Sequence, residues 1–423
     1  MNYTEAIKFI TNVEKFGSVF GLVTVRELLH RLNNPDNNLR FVHIAGTNGK
    51  GSVSCFMTSI LKEARMKVGT FNSPSVFSYN ERYLIDGKAI DNETVAKLLS
   101  VVSDARDKMG KDGLQLPTAF EIEFAVALLW FSEQNCDIVV LETGLGGRLD
   151  ATNVIKKKEL AIITSIALDH TKVLGDTVGK IAVEKVAIVK DCPLVTFKQC
   201  DEVMNVLGKV EDLRLTNKAV SISDNLNGQE FEICGDKYFI SMLGEHQLEN
   251  ASLAIKAVEV LRENGYLISE TALQKGLANA KWAGRLELLE NNISDKSEQH
   301  KYVILDGAHN PDGARILHNA LNHYFGGKRI DLVFGMFSDK DVWSVASILT
   351  KDCCEVFTVT PPSSRGLDAK ELKQIVSQYC DNTKATYSIK EAVELALEGE
   401  SEVVCVCGSL SILSEARKEI LNF

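Results

Sequence analysis

Gly46-Thr47-Asn48-Gly49-Lys50-Gly51-Ser52 is the stretch that decides how the first half of this chain folds. It follows a short apolar run, Arg40–Ala45, and precedes a helical pattern from Lys50 to Ala64. A glycine-rich loop between a strand and a helix is the setting in which backbone N–H groups hold phosphates. The spacing departs from the common phosphate loop, because an extra glycine stands before the serine. The stretch predicts a nucleotide site, the alternative being a plain glycine-rich turn.

Strands and helices alternate around this loop. Buried strands are predicted at residues 67–71, 137–141 and 160–166, and a helix is predicted at 120–132. Such alternation is typical of an α/β fold with a doubly wound, mostly parallel sheet. Residues 193–241 instead combine short β-like runs with polar turns, which predicts a small mixed or antiparallel β extension.

A polar stretch at residues 291–300 contains a single apolar side chain and is predicted to be a linker or loop. A second alternation follows it, with strands predicted at 302–305, 330–334, 355–359 and 403–406. We therefore expect a phosphate-loop domain over residues 1–295 and a smaller Rossmann-like α/β domain over residues 296–423.

The composition excludes several classes of protein. The 47 basic and 57 acidic residues give a net charge of −10, whereas a nucleic-acid binder would usually carry a basic face. We see neither a signal peptide nor an apolar run of the about 18 residues that a membrane span needs. Several of the ten cysteines lie in apolar runs and none forms a Cys-x-x-Cys pair, so we expect a reduced, cytoplasmic protein.

The unusual loop spacing resembles that of the Mur ligase superfamily. Other segments resemble its folylpolyglutamate synthase/dihydrofolate synthase branch, and they run in family order across nearly the whole chain. These segments are Ser73-Pro74, Asn80-Glu81-Arg82, Glu142–Asn153, Asp169-His170, Leu174-Gly175, Glu184-Lys185, Gly244, His246-Gln247, Asn250-Ala251, Trp282, Gly284-Arg285, Asp306–Pro311, Asp339-Lys340-Asp341 and Gly408-Ser409-Leu410.

The resemblance implies an ATP-dependent ligase that adds L-glutamate to folates through an acyl phosphate. The acid would be either the glutamate tail of tetrahydrofolate or the carboxylate of dihydropteroate, and the second reaction would yield dihydrofolate. The presence of both activities is left open. Two alternatives remain: another Mur-type acid–amino-acid ligase, or a P-loop ATPase switch without ligase activity. The resemblance also implies a monomer whose partners are small molecules only.

The ATP contacts that the resemblance implies come from both domains. Lys50 supplies a positive charge to the β- and γ-phosphates, the Arg285 guanidinium binds phosphate oxygens, and Asp306 accepts from the ribose hydroxyls. Because Asp306 opens the second domain, we expect ATP in a cleft between domains. The full implied set is Thr47, Asn48, Gly49, Lys50, Gly51, Ser52, Asn250, Arg285, Asp306 and His309.

Two Mg²⁺ ions are implied as well. Glu142 follows a predicted buried strand, where an open α/β sheet often places site residues. The alternatives on sequence alone are a strand-end glutamate for Glu142, a hydrogen-bonded core histidine for His170 and an ordinary helix lysine for Lys185. The resemblance makes Lys185 a carbamylated metal ligand and names Lys50, His170 and Lys185 as catalytic. The implied metal ligands are Ser52, Ser73, Glu142, His170 and Lys185.

Substrate choice is where the sequence departs from the family. Ser75 stands where many members have histidine, and Ala283 replaces a proline beside Gly284-Arg285. Phe120 could stack on a pterin ring or occupy a core position of its helix. The implied substrate contacts are Arg82, Phe120, Glu121, Leu149, Asp150 and Ala151.

Overall fold

The computed structural model describes residues 1–14, 21–289 and 301–423, so the predicted linker at 291–300 lies outside the described residues. Eight strands form the first sheet. They are β1 (Phe41–Ala45), β2 (Val68–Phe71), β3 (Tyr83–Ile85), β4 (Lys88–Ala89), β5 (Ile138–Glu142), β6 (Lys158–Ile163), β7 (Leu194–Thr196) and β8 (Leu213–Leu215). Their order is β4-β3-β2-β5-β1-β6-β7-β8; the pairs β2–β3 and β3–β4 are antiparallel, and the other five pairs are parallel.

Helices cover both faces of this sheet because its strands are apolar on both sides. All five residues of β1 are buried, and they face different cores: Phe41 packs in one, while Val42 and Ile44 pack in another. Burial on both faces is the usual state of a parallel sheet. The helices are α1 (Tyr3–Glu14), α2 (Val23–Arg31), α3 (Lys50–Glu63), α4 (Asn92–Lys111), α5 (Ala119–Glu133), α6 (Thr171–Leu174), α7 (Val178–Val186), α8 (Asp201–Leu207), α9 (His246–Glu263) and α10 (Glu270–Asn279).

A separate antiparallel sheet projects from this domain. It consists of β9 (Val220–Asn225), β10 (Gly228–Ile233) and β11 (Asp236–Ile240), in the order β11-β10-β9. The β extension predicted for residues 193–241 is therefore confirmed for 220–240. It was wrong for 194–215, where β7 and β8 continue the main sheet in parallel, because the buried residues of β7 pair with β6.

The described residues of the second α/β domain form six strands and five helices. The sheet order is β12-β13-β17-β14-β15-β16, and β12 alone is antiparallel to its neighbour. The elements are β12 (Glu287–Leu289), β13 (Tyr302–Leu305), α11 (Pro311–Phe325), β14 (Ile330–Phe334), α12 (Val342–Leu349), β15 (Glu355–Thr358), α13 (Ala369–Val376), β16 (Thr383–Ala385), α14 (Ile389–Glu398), β17 (Val403–Cys407) and α15 (Leu410–Asn422).

The predicted fold class, with its two parallel-rich sheets and small β extension, is confirmed. The division at residue 295 stays a prediction; β12, which precedes it, already belongs to the second sheet. Across the three described ranges, no helix combines the length and the apolar character needed to cross a membrane.

Candidate active site

The phosphate loop is fixed from behind by the segment that follows β6. Thr47 N donates to Ser165 O at 2.7 Å, and Thr164 Oγ1 donates to Asn48 O at 2.7 Å. A Cβ built on Gly46 would lie 1.7 Å from Thr164 Oγ1, and Gly49 has a φ of +88°. Glycine is therefore required at Gly46 by space and favoured at Gly49 by backbone conformation.

Lys50 folds back across this loop. Its Nζ donates to Gly46 O at 3.2 Å and Thr47 O at 3.3 Å, and it lies 3.8 Å from Glu142 Oε1. This places a cation between the loop and the end of β5. Phosphate oxygens bound by the loop would meet that cation directly.

A polar pair on α9 supports the loop on its other side. Gln247 Nε2 donates to Ser52 Oγ at 3.2 Å, and Asn250 Nδ2 donates to Gln247 Oε1 at 3.0 Å. A Cβ on Gly49 would lie 2.5 Å from Asn250 Oδ1. Asn250 thus contacts the loop from within the protein, and it is not among the residues that line the cavity described below.

Glu142 and Lys185 bring two buried ionisable groups to the loop. Burial raises the pKa of Glu142 to about 7, although Lys50 and Arg285 oppose the shift. Lys185 Nζ donates to Gly46 O at 2.6 Å, and burial, with repulsion from Lys50, lowers the pKa of Lys185 to about 7. Each group faces the site in a setting that disfavours its charged form.

The helix that carries Lys185 is held against the loop after Glu142. Arg148 N donates to Glu184 O at 2.8 Å, and Arg148 Nε donates to Glu184 Oε1 at 3.0 Å. A Cβ on Gly147 would meet Glu184 O at 2.8 Å. The position of Lys185 therefore depends on the Gly147-Arg148 turn, which lies in the same family-like segment as Glu142, residues 142–153.

The donor set fits Mg²⁺ in part. The ion prefers oxygen ligands, which Glu142 and the hydroxyls of Ser52 and Ser73 offer on the same cavity. His170, at a φ of +50°, also lines it. Among the residues described, no three His, Cys, Asp or Glu side chains group closely enough to hold a metal. Lys185 as an ammonium would repel the ion, so it fits only as a carbamate.

Arg285, Asp306 and His309 form the opposite wall. Asp306 accepts from Leu286 N at 2.8 Å and from Ala308 N at 2.7 Å. His309 Nδ1 lies 2.8 Å from Gly307 O and so must carry the proton, which leaves Nε2 as an acceptor. Burial, with Lys340 nearby, lowers the pKa of His309 to about 4.

A polar network joins the two walls. Asp169 Oδ1 accepts from Lys340 Nζ at 2.8 Å, and Asn310 Nδ2 lies 3.2 Å from Asn48 Oδ1 and 3.3 Å from Asp169 Oδ2. Asn48 Nδ2 also donates to Asp312 Oδ2 at 2.8 Å. Burial alone would raise the pKa of Asp169, but Lys340 and His170 hold that pKa well below its usual range.

Sequence reasoning gave no role to Lys340 or Asp312. The only available signal for Lys340 was its place in Asp339-Lys340-Asp341, one of the family-like segments. Its partner lies 171 residues earlier in the chain, where no local pattern could indicate it.

A cavity of about 460 Å³ lies between these walls. Both domains line it, and almost every residue implied for ATP and metal binding is on its surface. These are Thr47, Asn48, Gly49, Lys50, Gly51, Ser52, Ser73, Glu142, His170, Lys185, Arg285, Asp306 and His309.

The six implied substrate residues lie elsewhere, since none of them lines this cavity. Two are held in internal contacts: Arg82 Nε is 3.4 Å from Glu123 Oε1, and Glu121 forms the capping box of α5 with Thr118. Phe120 packs on Phe71, with ring centroids 5.7 Å apart.

Asp150 accepts from Leu145 N at 2.8 Å and from Thr152 N at 3.0 Å. It follows Leu149 and caps the buried 3₁₀ turn Ala151–Val154. Phe120 also abuts the loop after Glu142, since a Cβ on Gly144 would lie 2.7 Å from its ring. The substrate roles of these residues stay predictions.

Comparison with known proteins gives the same assignment over the full length. The model of the Mur ligase middle domain matches residues 44–258, and that of the Mur ligase glutamate ligase domain matches residues 284–410. The dihydrofolate synthase/folylpolyglutamate synthase of Bacillus subtilis is 33% identical, over 99% of both chains. The folylpolyglutamate synthase of Lacticaseibacillus casei is 30% identical, over 100% of this chain and 99% of the relative.

Solved structures agree. The folylpolyglutamate synthase of Thermotoga maritima superposes with a TM-score of 0.85 at 33% identity, covering 99% of this chain and 96% of that one. E. coli FolC in complex with DHPP and ADP gives 0.84 at 27% identity, covering 100% and 98%. The chain belongs to the Mur ligase family, in its folylpolyglutamate synthase/dihydrofolate synthase branch.

Proposed function

We propose that this protein is an ATP-dependent ligase that adds L-glutamate to a folate. One observation carries the proposal: the phosphate loop, the buried Glu142 carboxylate and Arg285 with Asp306 of the second domain all line one cavity. Relatives named for both synthases make two acids candidate substrates, namely dihydropteroate and the glutamate tail of a reduced folate.

The reaction follows from what the cavity collects. An oxygen of the folate carboxylate attacks the γ-phosphorus of ATP, the bond to the bridging oxygen breaks, and ADP leaves. The glutamate amine then attacks the acyl carbon, phosphate leaves, and the amine nitrogen loses its proton. Lys50 and Arg285 place positive charge on either side of the phosphates. Negative charge accumulates on the phosphate oxygens in the transition state, so these two cations stabilise the transfer.

Magnesium completes the proposed site. Ser52, Ser73, Glu142, His170 and a carbamylated Lys185 would hold two ions. When bound, Mg²⁺ neutralises phosphate oxygens during transfer. Lys185 is suited to carbamylation because its amine is buried and only a neutral amine combines with CO₂.

The cross-domain network has a separate task in this proposal. An acyl phosphate hydrolyses if water reaches it, and a closed cleft excludes water. Asp169, Lys340, Asn48 and Asp312 hold the two walls together beside the phosphate loop. We propose that the protein acts as a monomer in the cytoplasm, on small-molecule substrates alone.

ADP release measured against a panel of acids tests the function. Dihydropteroate, tetrahydrofolate and a UDP-muramoyl acid are each supplied with and without L-glutamate, and products are identified by mass. Glutamate-dependent release with a folate acid, abolished in Lys50→Met, is the expected result. Turnover with the UDP-muramoyl acid alone would indicate another Mur-type ligase. ATP hydrolysis that ignores both acid and amine would indicate an ATPase switch.

A further inference from the structure

The segment of residues 74–78 leaves the first domain and packs on the second. It follows β2 and Ser73, and it includes Ser75, one of the positions at which the chain departs from its family. Val76 and Phe77 pack against the apolar core of the second domain, together with Leu410. Pro74 and Ser75 line the cavity, and we call residues 74–78 the substrate loop because the proposed function needs an acid beside the γ-phosphate there.

Helix α15 of the second domain contacts this loop at Phe77. Ser414 Oγ donates to Phe77 O at 3.2 Å, and the Arg417 guanidinium lies 4.7 Å from the centre of the Phe77 ring. The base of the loop is fixed from the first domain, where Glu81 Oε2 accepts from Phe77 N at 2.9 Å and Val76 N at 3.2 Å. The loop is therefore held from both domains at once.

Arg417 has a second partner. Its Nη2 lies 3.0 Å from Glu287 Oε1, and Glu287 Oε2 accepts from Gly284 N at 2.8 Å. Gly284 has a φ of +74° and immediately precedes Arg285, and its carbonyl accepts from Gly307 N at 2.9 Å. The turn that presents Arg285 to the cavity is thus anchored on the carboxylate that Arg417 holds.

We propose that Arg417 is a positioning residue that sets the substrate loop and the Arg285 turn relative to each other. Arg417 does not line the cavity, so it acts through Phe77 on one side and Glu287 on the other. The proposal rests on the proposed function and extends it: one side chain outside the site adjusts both the acid end and the phosphate end of the reaction.

Three substitutions separate the effect of the Arg417 contact with Phe77 from that of its contact with Glu287, which we call the Phe77 arm and the Glu287 arm. Arg417→Met keeps an aliphatic stem over Phe77 and removes the charge, so the KM values for both ATP and the acid should rise about three- to tenfold, the size of one half-exposed cation–π contact or ion pair. Phe77→Leu should raise the KM for the acid only. Glu287→Gln should raise the KM for ATP only.

The readouts distinguish positioning from general damage. The melting temperature of each variant is measured without ligand and should stay close to that of the wild type. Arg417→Lys keeps the ion pair but stacks less well on Phe77, so it should restore the KM for ATP more than the KM for the acid. Arg329→Met breaks an exposed arginine–carboxylate pair with Glu400 in the same domain, and both KM values should stay within twofold.

A double-mutant comparison completes the test. If Phe77 and Arg417 act as one contact, Phe77→Leu should add little to the acid KM of Arg417→Met. The proposal is overturned if Arg417→Met leaves both KM values within twofold, or if Arg329→Met raises them as much. Binding of a non-hydrolysable ATP analogue, measured by calorimetry, reports the Glu287 arm without any acid. If no folate acid supported ADP release, the predicted effect of Glu287→Gln on nucleotide binding could therefore still be measured.

Discussion

Lys340→Met tests whether the two domains are held closed over the site by the Asp169–Lys340 ion pair. The two charged atoms are 2.8 Å apart, and the side chains are only 13% and 10% exposed. Removing one partner of a buried pair typically costs about 3–5 kcal/mol, because the other charge is left buried.

The cost should be smaller here. Asp169 keeps a hydrogen bond from His170 N at 2.8 Å and a longer one from Asn310 Nδ2 at 3.3 Å. We therefore expect about 2–3 kcal/mol, which corresponds to about 30- to 150-fold in the ratio of closed to open forms.

Two assays measure this cost. The kcat/KM for ATP should fall by at least about tenfold, and the ligand-free protein should unfold at a lower urea concentration. Asp169→Asn alone should also be harmful, whereas Asp169→Asn with Lys340→Met should be less harmful than the product of the two, since no charge is then left unpaired. Lys328→Met, which breaks the exposed Lys328–Glu402 pair, is the control.

Two results would refute this reasoning. One is a kcat/KM within twofold of the wild type in Lys340→Met. The other is strict additivity in the double variant with an unchanged urea midpoint, because Lys340 would then act only as a direct ligand contact.

Three further predictions follow from buried contacts. Gly46→Ala forces a Cβ onto Thr164 Oγ1, so it should cost about 1–3 kcal/mol in urea unfolding and abolish binding of an ATP analogue. Asp306→Asn sets an amide N–H₂ against the Leu286 or Ala308 N–H, and it should raise the KM for ATP about tenfold. Burial, with repulsion from Lys190, lowers the pKa of Lys158 to about 7, whereas its pKa in the unfolded chain is about 10.4. Between these two pH values the unfolded chain holds one more proton at this group, so the group makes the free energy of unfolding rise with pH by up to about 1.4 kcal/mol per pH unit. Urea unfolding of Lys158→Met, measured at two pH values in this range, should lack that slope.

Each of these has a matched control or a contrary outcome. Gly110→Ala, within α4, places a Cβ 3.3 Å from the end of the exposed Leu116 side chain and should be tolerated. An unchanged KM in Asp306→Asn would remove Asp306 from the nucleotide site. A Lys158→Met protein with the pH slope of the wild type would show that other groups produce it.

The elements near the phosphate loop could be predicted because local pattern determines them. A buried strand, a glycine turn and a helix beginning at Lys50 are adjacent in sequence, and the structure has β1 and α3 at almost the predicted bounds. The resemblance then supplied Glu142 and Lys185, which lie far apart in sequence and share the cavity with the loop.

Contacts between domains could not be predicted in this way. Lys340 contacts Asp169, and Arg417 contacts Phe77, although the two residues of each pair lie hundreds of positions apart or nearly so. The periodicity of a helix or strand indicates only neighbours close in sequence, so it could not predict these contacts. Gln247 is an intermediate case. It lies one helical turn before Asn250, so its contact with Ser52 could have been inferred once Asn250 was placed at the loop.

We expect the departure at Ser75 to change the choice of acid more than the phosphate chemistry, because different residues anchor the substrate loop and the phosphate loop. The phosphate loop is held by Thr164 and Gln247 within the first domain. The substrate loop is held by Glu81 and α15, and Arg417 links it to the Arg285 turn, although Pro74 and Ser75 line the same cavity as the phosphate loop. A change at Ser75 can therefore alter what enters beside the γ-phosphate while Lys50 and Glu142 keep their places.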